Sequence, residues 1–133
     1  MPDIPNFIRE SAVVQKNESI ARGVYLMRLL APQLANACRP AQFLQILTDP
    51  GLSPFLRRPF STLYVDREAG WLDIIYDVIG PGTERLEEAK PGDQFHISGP
   101  FGLPFDPPTS KRILLIAGGV GLVPLAFLAW EHP

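Results

Sequence analysis

The sequence contains a single cysteine, Cys38, among its 133 residues. One thiol cannot form an internal disulfide, and it cannot hold an iron–sulfur cluster, which requires about four thiolates. We therefore expect no iron–sulfur cluster within this chain and interpret Cys38 as a small, partly buried thiol.

Clusters of basic residues are also missing. Lys and Arg number 12 against 14 Asp and Glu, which gives a formal net charge of −2. This balance lacks the electrostatic signature of a nucleic-acid-binding protein. Residues 1–9 lack the basic segment and apolar core of a secretory signal, so we expect a cytoplasmic protein.

Charge is absent from residues 113–130, a stretch of 18 residues near the lower length limit for a membrane-spanning helix. Three glycines and a proline interrupt its middle: Gly118, Gly119, Gly121 and Pro124. A spanning helix would lose its regularity there. We favour a buried strand over 112–117, a glycine turn and a buried helix over 122–130, and we expect no membrane span.

Proline and glycine, by contrast, are plentiful, with 15 and 11 residues, and they favour short strands joined by turns. The apolar patterns predict six strands, over residues 11–16, 23–30, 42–48, 60–65, 71–79 and 94–98. Asn17-Glu18-Ser19 and a loop over 49–54 read as breaks between strands. Only one short helix is expected among them, capped by Thr83 and ended by Lys90-Pro91-Gly92. These elements predict a mainly β fold, a six-stranded antiparallel barrel with one short helix.

The composition changes after Pro100, where residues 101–110 hold three prolines and one glycine. A strand, a glycine turn and a helix then follow, as at the start of a parallel α/β nucleotide-binding domain. We therefore divide the chain into a barrel domain, 1–105, and a linker with an incomplete α/β domain, 106–133. One such unit cannot cover its own apolar faces, so we expect it to associate with a partner. The end at Glu131-His132-Pro133 also fits an incomplete gene product.

Three segments carry residues suited to binding phosphate groups. The first is Arg57-Arg58-Pro59-Phe60-Ser61-Thr62, in which Arg58 offers a planar fork of donors and Ser61 a hydroxyl. Read alone, such a segment is usually a surface feature.

The second segment is Ile75-Tyr76-Asp77, followed by Gly80-Pro81-Gly82-Thr83 at a helix start. The first amide groups of a helix lack internal partners, and glycines let an anion approach them closely. A plain turn and helix cap is the alternative interpretation.

The third segment is Gly118-Gly119-Val120-Gly121-Leu122-Val123-Pro124, which follows a predicted strand. Its glycines allow a tight turn and the close passage of a pyrophosphate. The pattern is neither the Rossmann fingerprint nor a Walker motif, because Pro124 replaces the third glycine and no Gly-Lys-Ser or Gly-Lys-Thr is present.

Together with Gly99-Pro100-Phe101-Gly102, the order of these motifs resembles the ferredoxin–NADP reductase superfamily. Within it, the chain is most similar to the electron-transfer subunit of dihydroorotate dehydrogenase, over residues 11–130. The resemblance implies an FAD-binding barrel followed by a truncated NAD(P)-binding domain. It also implies that NAD(P)H passes a hydride to FAD, which passes electrons to an iron–sulfur centre or a catalytic dehydrogenase subunit. The implied assembly is a hetero-oligomer that serves pyrimidine biosynthesis.

The resemblance assigns site residues as well, with no side chain required as an acid or base. The positions implied to bind FAD are Arg58, Pro59, Phe60, Ser61, Ile75, Tyr76, Asp77, Gly82 and Thr83. Those implied to open the nicotinamide-nucleotide site are Gly118, Gly119, Gly121 and Pro124. Arg58, Gly82 and Thr83 would hold the flavin pyrophosphate, and Ser61 would lie near the isoalloxazine ring.

Several features depart from the family pattern. Asp77 stands where relatives often carry a basic residue, which weakens attraction to an anionic cofactor. Phe60 replaces the tyrosine of many reductases, and most of the nucleotide domain and the cysteine cluster are missing. The alternative hypothesis is a truncated or degenerate barrel that acts as a non-catalytic interaction module. The sequence leaves the choice between NAD and NADP open, as it does the electron acceptor.

Overall fold

The structure is a computed structural model that describes residues 7–51 and 56–133. Its strands are β1 (Ile8–Ala21), β2 (Val24–Leu30), β3 (Phe43–Leu47), β4 (Arg58–Asp66), β5 (Trp71–Asp77) and β6 (Gln94–Phe101). Its helices are α1 (Pro32–Ala37), α2 (Pro81–Glu87) and α3 (Leu122–Glu131), with a 3₁₀ turn at Gly119–Gly121 before α3. Residues 1–6 of the N-terminal segment considered for a secretory signal, and residues 52–54 of the predicted loop, lie outside the described residues.

The six strands close into an antiparallel barrel in the order β1-β2-β5-β4-β3-β6, which confirms the predicted barrel. β1 is long enough to serve two neighbours: its first half pairs with β6 and its second half with β2. Register shifts between Val14 and Lys16 and between Ser19 and Ala21 mark irregularities in the pairing of β1 with β2. Such irregularities bend a strand and allow a sheet to close on itself.

Alternating apolar side chains fill the barrel. The fully buried residues contributed by β2, β3 and β5 are Met27, Leu29, Leu44, Ile46, Leu72 and Ile74. Each such side chain contributes about 1.5–3 kcal/mol when it leaves water. Cys38 lies in the same core, and burial raises the pKa of its thiol to about 11. Cys38 is thus a free thiol, as expected, but it is fully buried rather than partly buried.

The predicted break at Asn17-Glu18-Ser19 is wrong. β1 runs through these residues, which pair with β2, and the chain turns at Arg22-Gly23. Gly23 has a φ of +73°, a left-handed backbone that glycine adopts without steric cost. Pairing with a neighbouring strand outweighs the local turn preference of Asn and Ser.

A second helix, α1, interrupts the strands, where only one was expected. Its N-cap is Ala31, which offers no capping side chain. The Glu10 carboxylate of β1 takes that role instead, and it accepts the amide N–H groups of Gln33 (3.2 Å) and Leu34 (3.0 Å). A cap supplied from a distant strand leaves no local sequence signal.

The chain after the barrel differs in part from the prediction. Residues 112–117 form no strand, and Leu114 and Ile116 are 83% and 80% exposed. A strand forms only where a neighbouring strand supplies hydrogen-bond partners, and no strand of the described residues pairs with this segment.

The helix predicted over 122–130 is present as α3, which packs against β4. Phe127 is fully buried, and the Trp130 ring meets Tyr64 edge-on at 4.7 Å. Glu131 forms an ion pair with Arg67 at 2.7 Å. Because Trp130 is 52% exposed, the helix is buried on one face rather than all round. Within the described ranges, no helix combines the length and apolar character needed to cross a membrane.

Candidate functional site

A cavity of about 340 Å³ opens on the barrel wall near β4, β5 and the start of α2. Its lining residues are Arg58, Pro59, Phe60, Ser61, Ile75, Tyr76, Asp77, Ile79, Thr83, Val120 and Val123. β4 and β5 are antiparallel neighbours, so their two sequence-predicted segments meet side by side. The residues of these two strands that the sequence assigned to FAD binding therefore all line the cavity.

Arg58 lies directly against Gly82 of α2. A Cβ atom at Gly82 would be 2.8 Å from Arg58 Nε and 3.1 Å from Arg58 Cγ, too close without displacement of the arginine. Arg58 also donates a hydrogen bond to the Leu56 carbonyl. The absence of a side chain at position 82 thus lets the guanidinium group lie across the first turn of α2, beside the cavity.

Thr83 is not the N-cap residue of α2, but its side chain does cap the start of the helix, as predicted. The helix begins at Pro81 with Gly80 as its N-cap, so Thr83 lies in the first turn. The Thr83 hydroxyl accepts the N–H groups of Ile79 (2.9 Å) and Gly80 (3.2 Å) and donates to the Gly80 carbonyl (3.1 Å). Its hydrogen-bonding capacity is used inside the loop, and the buried side chain holds this edge of the cavity in shape.

Two aromatic rings form the inner wall of the cavity. Phe60 meets Tyr76 edge to face, with ring centroids 6.1 Å apart, and Tyr76 stacks on Tyr25 at 5.7 Å. The Tyr76 hydroxyl donates to Asn17 Oδ1 at 2.8 Å. Burial raises the pKa of Tyr76 above its ordinary value of 10.0, so the ring stays neutral at physiological pH.

Among the described residues, one cation and one carboxylate line the cavity, Arg58 and Asp77, and both are partly buried. Apolar side chains complete the rim, where Ile79 is 86% and Val120 62% exposed. The cavity therefore offers a fork of donors for an anionic group, opposed by one negative charge, and an apolar surface for a ring system.

The residues predicted to open the nicotinamide-nucleotide site are not part of this cavity. Gly118, Gly119, Gly121 and Pro124 do not line this cavity, although Val120 and Val123 between them do. The sequence did not single out these two valines, because their position depends on α3 packing against β4. A further cavity of about 360 Å³ lies among residues 108–115 and the end of α3, away from all of the predicted residues.

Comparison with known proteins gives a consistent set of relatives, although no protein-family model matches the chain. The chain is 38% identical over 113 residues to the dihydroorotate dehydrogenase B (NAD(+)) electron transfer subunit of Desulforamulus reducens, covering 84% of this chain and 43% of that protein. It is 37% identical over 124 residues to the same subunit of Geobacillus thermodenitrificans, covering 91% and 48%. The chain thus spans about half the length of the curated relatives it matches.

The fold also matches a solved reductase. The structure of the NADH-dependent reduced ferredoxin–NADP oxidoreductase, described for flavin-based electron bifurcation, superposes with a TM-score of 0.78. It is 28% identical, and the match covers 86% of this chain and 41% of that chain.

Proposed function

The chain belongs to the ferredoxin–NADP reductase superfamily, and on that basis we propose that it is the FAD-binding part of an electron-transfer flavoprotein of the dihydroorotate dehydrogenase type. In this role electrons arrive from NAD(P)H and leave toward an iron–sulfur centre or a catalytic dehydrogenase subunit. The observation that carries the proposal is the cavity in which Arg58, Tyr76 and Thr83 meet.

The residues of the cavity fit FAD. Its volume, about 340 Å³, falls within the range of roughly 300–1,000 Å³ found for ligand pockets. Arg58 supplies planar donors suited to a diphosphate, and Gly82 leaves the space that the arginine needs. Phe60 and Tyr76 supply flat apolar surface beside it.

Bound FAD would supply the chemistry that accepts a hydride and passes electrons onward. The chain's own residues bind and orient it. Arg58, with the backbone of Gly82 and Thr83, would hold the pyrophosphate, and Ser61 would lie near the isoalloxazine ring. Tyr76, with its proton directed to Asn17, contributes an uncharged wall. None of these side chains has to act as an acid or base.

The proposal extends to organisation and partners. Residues 1–105 form the FAD-binding domain, and 106–133 form the linker and the start of an NAD(P)-binding domain, with Gly118, Gly119, Gly121 and Pro124 at its nucleotide site. A catalytic dehydrogenase subunit is the expected partner, in a hetero-oligomer of the cytoplasm that serves pyrimidine biosynthesis. The relatives are named as electron transfer subunits of dihydroorotate dehydrogenase B, which supports this assignment.

Titration of the purified chain with FAD tests the proposal. We expect flavin fluorescence to be quenched on binding and the bound flavin to remain with the protein through gel filtration. Anaerobic addition of NADH then reports whether the bound flavin can be reduced, by loss of its visible absorbance. A chain that is folded by circular dichroism yet binds no FAD would support the interaction-module hypothesis instead.

Substitution of Gly82 by alanine tests the geometry of the cavity. The new methyl group would force Arg58 to move, and we expect the affinity for FAD to fall by about tenfold, the loss of one charge-assisted hydrogen bond. Gly80→Ala is the matched control, because Gly80 has an extended backbone and open space around its Cβ position. Equal affinities of the two variants, measured by fluorescence titration, would argue against a role for the contact between Arg58 and Gly82.

A further inference from the structure

The side chain of Asn17, on β1, reaches the far end of α2. Its Nδ2 group donates to the carbonyl oxygens of Leu86 (2.8 Å), Ala89 (3.0 Å) and, at a longer distance, Glu87 (3.3 Å). The last carbonyls of a helix have no partner within the helix. Asn17 therefore caps α2 from a strand that lies 69 residues away along the chain from Leu86.

The orientation of the Asn17 amide follows from its partners. A backbone carbonyl only accepts hydrogen bonds, so the nitrogen of the amide must face α2. The oxygen is left to accept the Tyr76 hydroxyl at 2.8 Å. A single side chain thus joins Tyr76, which lines the cavity, to the helix whose first turn contacts Arg58.

The other polar contacts between α2 and the rest of the chain are weaker. Tyr25 donates to the Glu87 carboxylate at 2.7 Å, but this pair is exposed. Arg85 meets Asp49 at 3.3 Å, with the Arg85 side chain 53% exposed, and exposed ion pairs contribute little. Asn17 is accordingly the principal polar contact, among the described residues, that sets the position of α2 on the barrel.

We propose that Asn17 is a positioning residue for the cofactor cavity. By holding α2 against the barrel, it keeps Gly82 beside Arg58 and so keeps the guanidinium group in place for a phosphate. The inference rests on the proposed function, since the anion in question is the diphosphate of FAD. Asn17 itself is not among the residues that line the cavity.

Asn17→Asp is the sharpest test, because it keeps the shape of the side chain but cannot donate to the carbonyls of α2. We expect the affinity for FAD to fall by about tenfold, while the affinity for riboflavin, which has no phosphate, changes by less than about twofold. Ser19→Ala, an exposed position on the same strand, is the control and should bind both as the native chain does. Equal losses for FAD and riboflavin would overturn the proposal.

A second comparison asks whether Asn17 acts through Arg58. In an Arg58→Ala background we expect Asn17→Asp to lower FAD affinity by less than about twofold, because the group that it positions is gone. The same tenfold loss in both backgrounds would contradict the inference. Asn17→Ser provides a milder variant should Asn17→Asp fail to fold.

Hydrogen exchange separates this inference from the proposed function. We expect amides of α2 to exchange about tenfold faster in Asn17→Asp, at an unchanged thermal midpoint, with or without flavin. If the native chain binds no FAD, the proposed function fails, and with it the cofactor role of Asn17. Exchange rates equal to those of the native chain would show instead that Asn17 does not hold α2.

Discussion

Substitution of Arg58 by alanine is expected to weaken FAD binding by about a hundredfold, the largest loss from any single change in the cavity. Hydrogen bonds to a charged group contribute about 1.5–3 kcal/mol, and about 1.4 kcal/mol corresponds to a tenfold change in affinity. Arg58 is the only cation that lines the cavity among the described residues. Isothermal titration with FAD measures the effect directly.

Variants of differing charge and shape separate the contribution of the guanidinium fork from that of its charge. Arg58→Lys keeps the charge but loses the paired donors, and we expect an intermediate loss of about tenfold. Asp77→Asn removes the opposing carboxylate and should raise the affinity, more so at low salt. Arg85→Ala, on the exposed side of α2, removes a positive charge outside the cavity and should change the affinity by less than about twofold. A normal affinity in Arg58→Ala would place the diphosphate elsewhere.

The strands of the barrel could be predicted because each is encoded by a short segment of the sequence. The strands are short segments rich in apolar residues, some of them alternating with polar ones as in Leu44-Gln45-Ile46, and glycine or proline stands between strands. The order of the strands around the barrel was not predicted, since alternation gives no indication of which strands are neighbours. The candidate site could also be predicted, because Arg58 and Tyr76 occur in short motifs whose order resembles that of the motifs in known reductases.

What the sequence did not reveal depends on contacts between distant residues. Glu10 caps the start of α1 and Asn17 caps the end of α2, each from β1, and neither of these long-range contacts has a local sequence signal. Asn17 was interpreted as a turn residue because its local preference was the only information available. Val120 and Val123 reach the cavity only because α3 packs on β4. The segment 112–117 has the composition of a buried strand, but a strand forms only where neighbours supply hydrogen bonds.

Phe127→Ala is expected to have the largest effect on stability. The Phe127 ring is fully buried in the cluster that includes the barrel core, and removal of such a side chain costs about 3–5 kcal/mol. Two weaker contacts also hold α3, the Trp130–Tyr64 ring pair and the Arg67–Glu131 ion pair. These two contacts cannot compensate for the void that removal of the Phe127 ring leaves, since an aromatic pair contributes about 0.5–1.5 kcal/mol beyond its buried area. Urea unfolding followed by tryptophan fluorescence, with Trp130 as a reporter, measures the loss.

The shape of the unfolding curve shows whether α3 unfolds together with the barrel or before it. If helix and barrel unfold together, Phe127→Ala lowers the midpoint of a single transition, whereas Leu122→Ala, at a position 56% exposed, changes stability by less than about 0.5 kcal/mol. If α3 detaches first, the variant shows an early transition while the barrel keeps its native midpoint. Because Val120 and Val123 line the cavity, a detached helix should also weaken FAD binding, even though Phe127 is not among the cavity's lining residues. Unchanged stability and unchanged FAD affinity in Phe127→Ala would together mean that α3 does not form part of the cavity wall in solution.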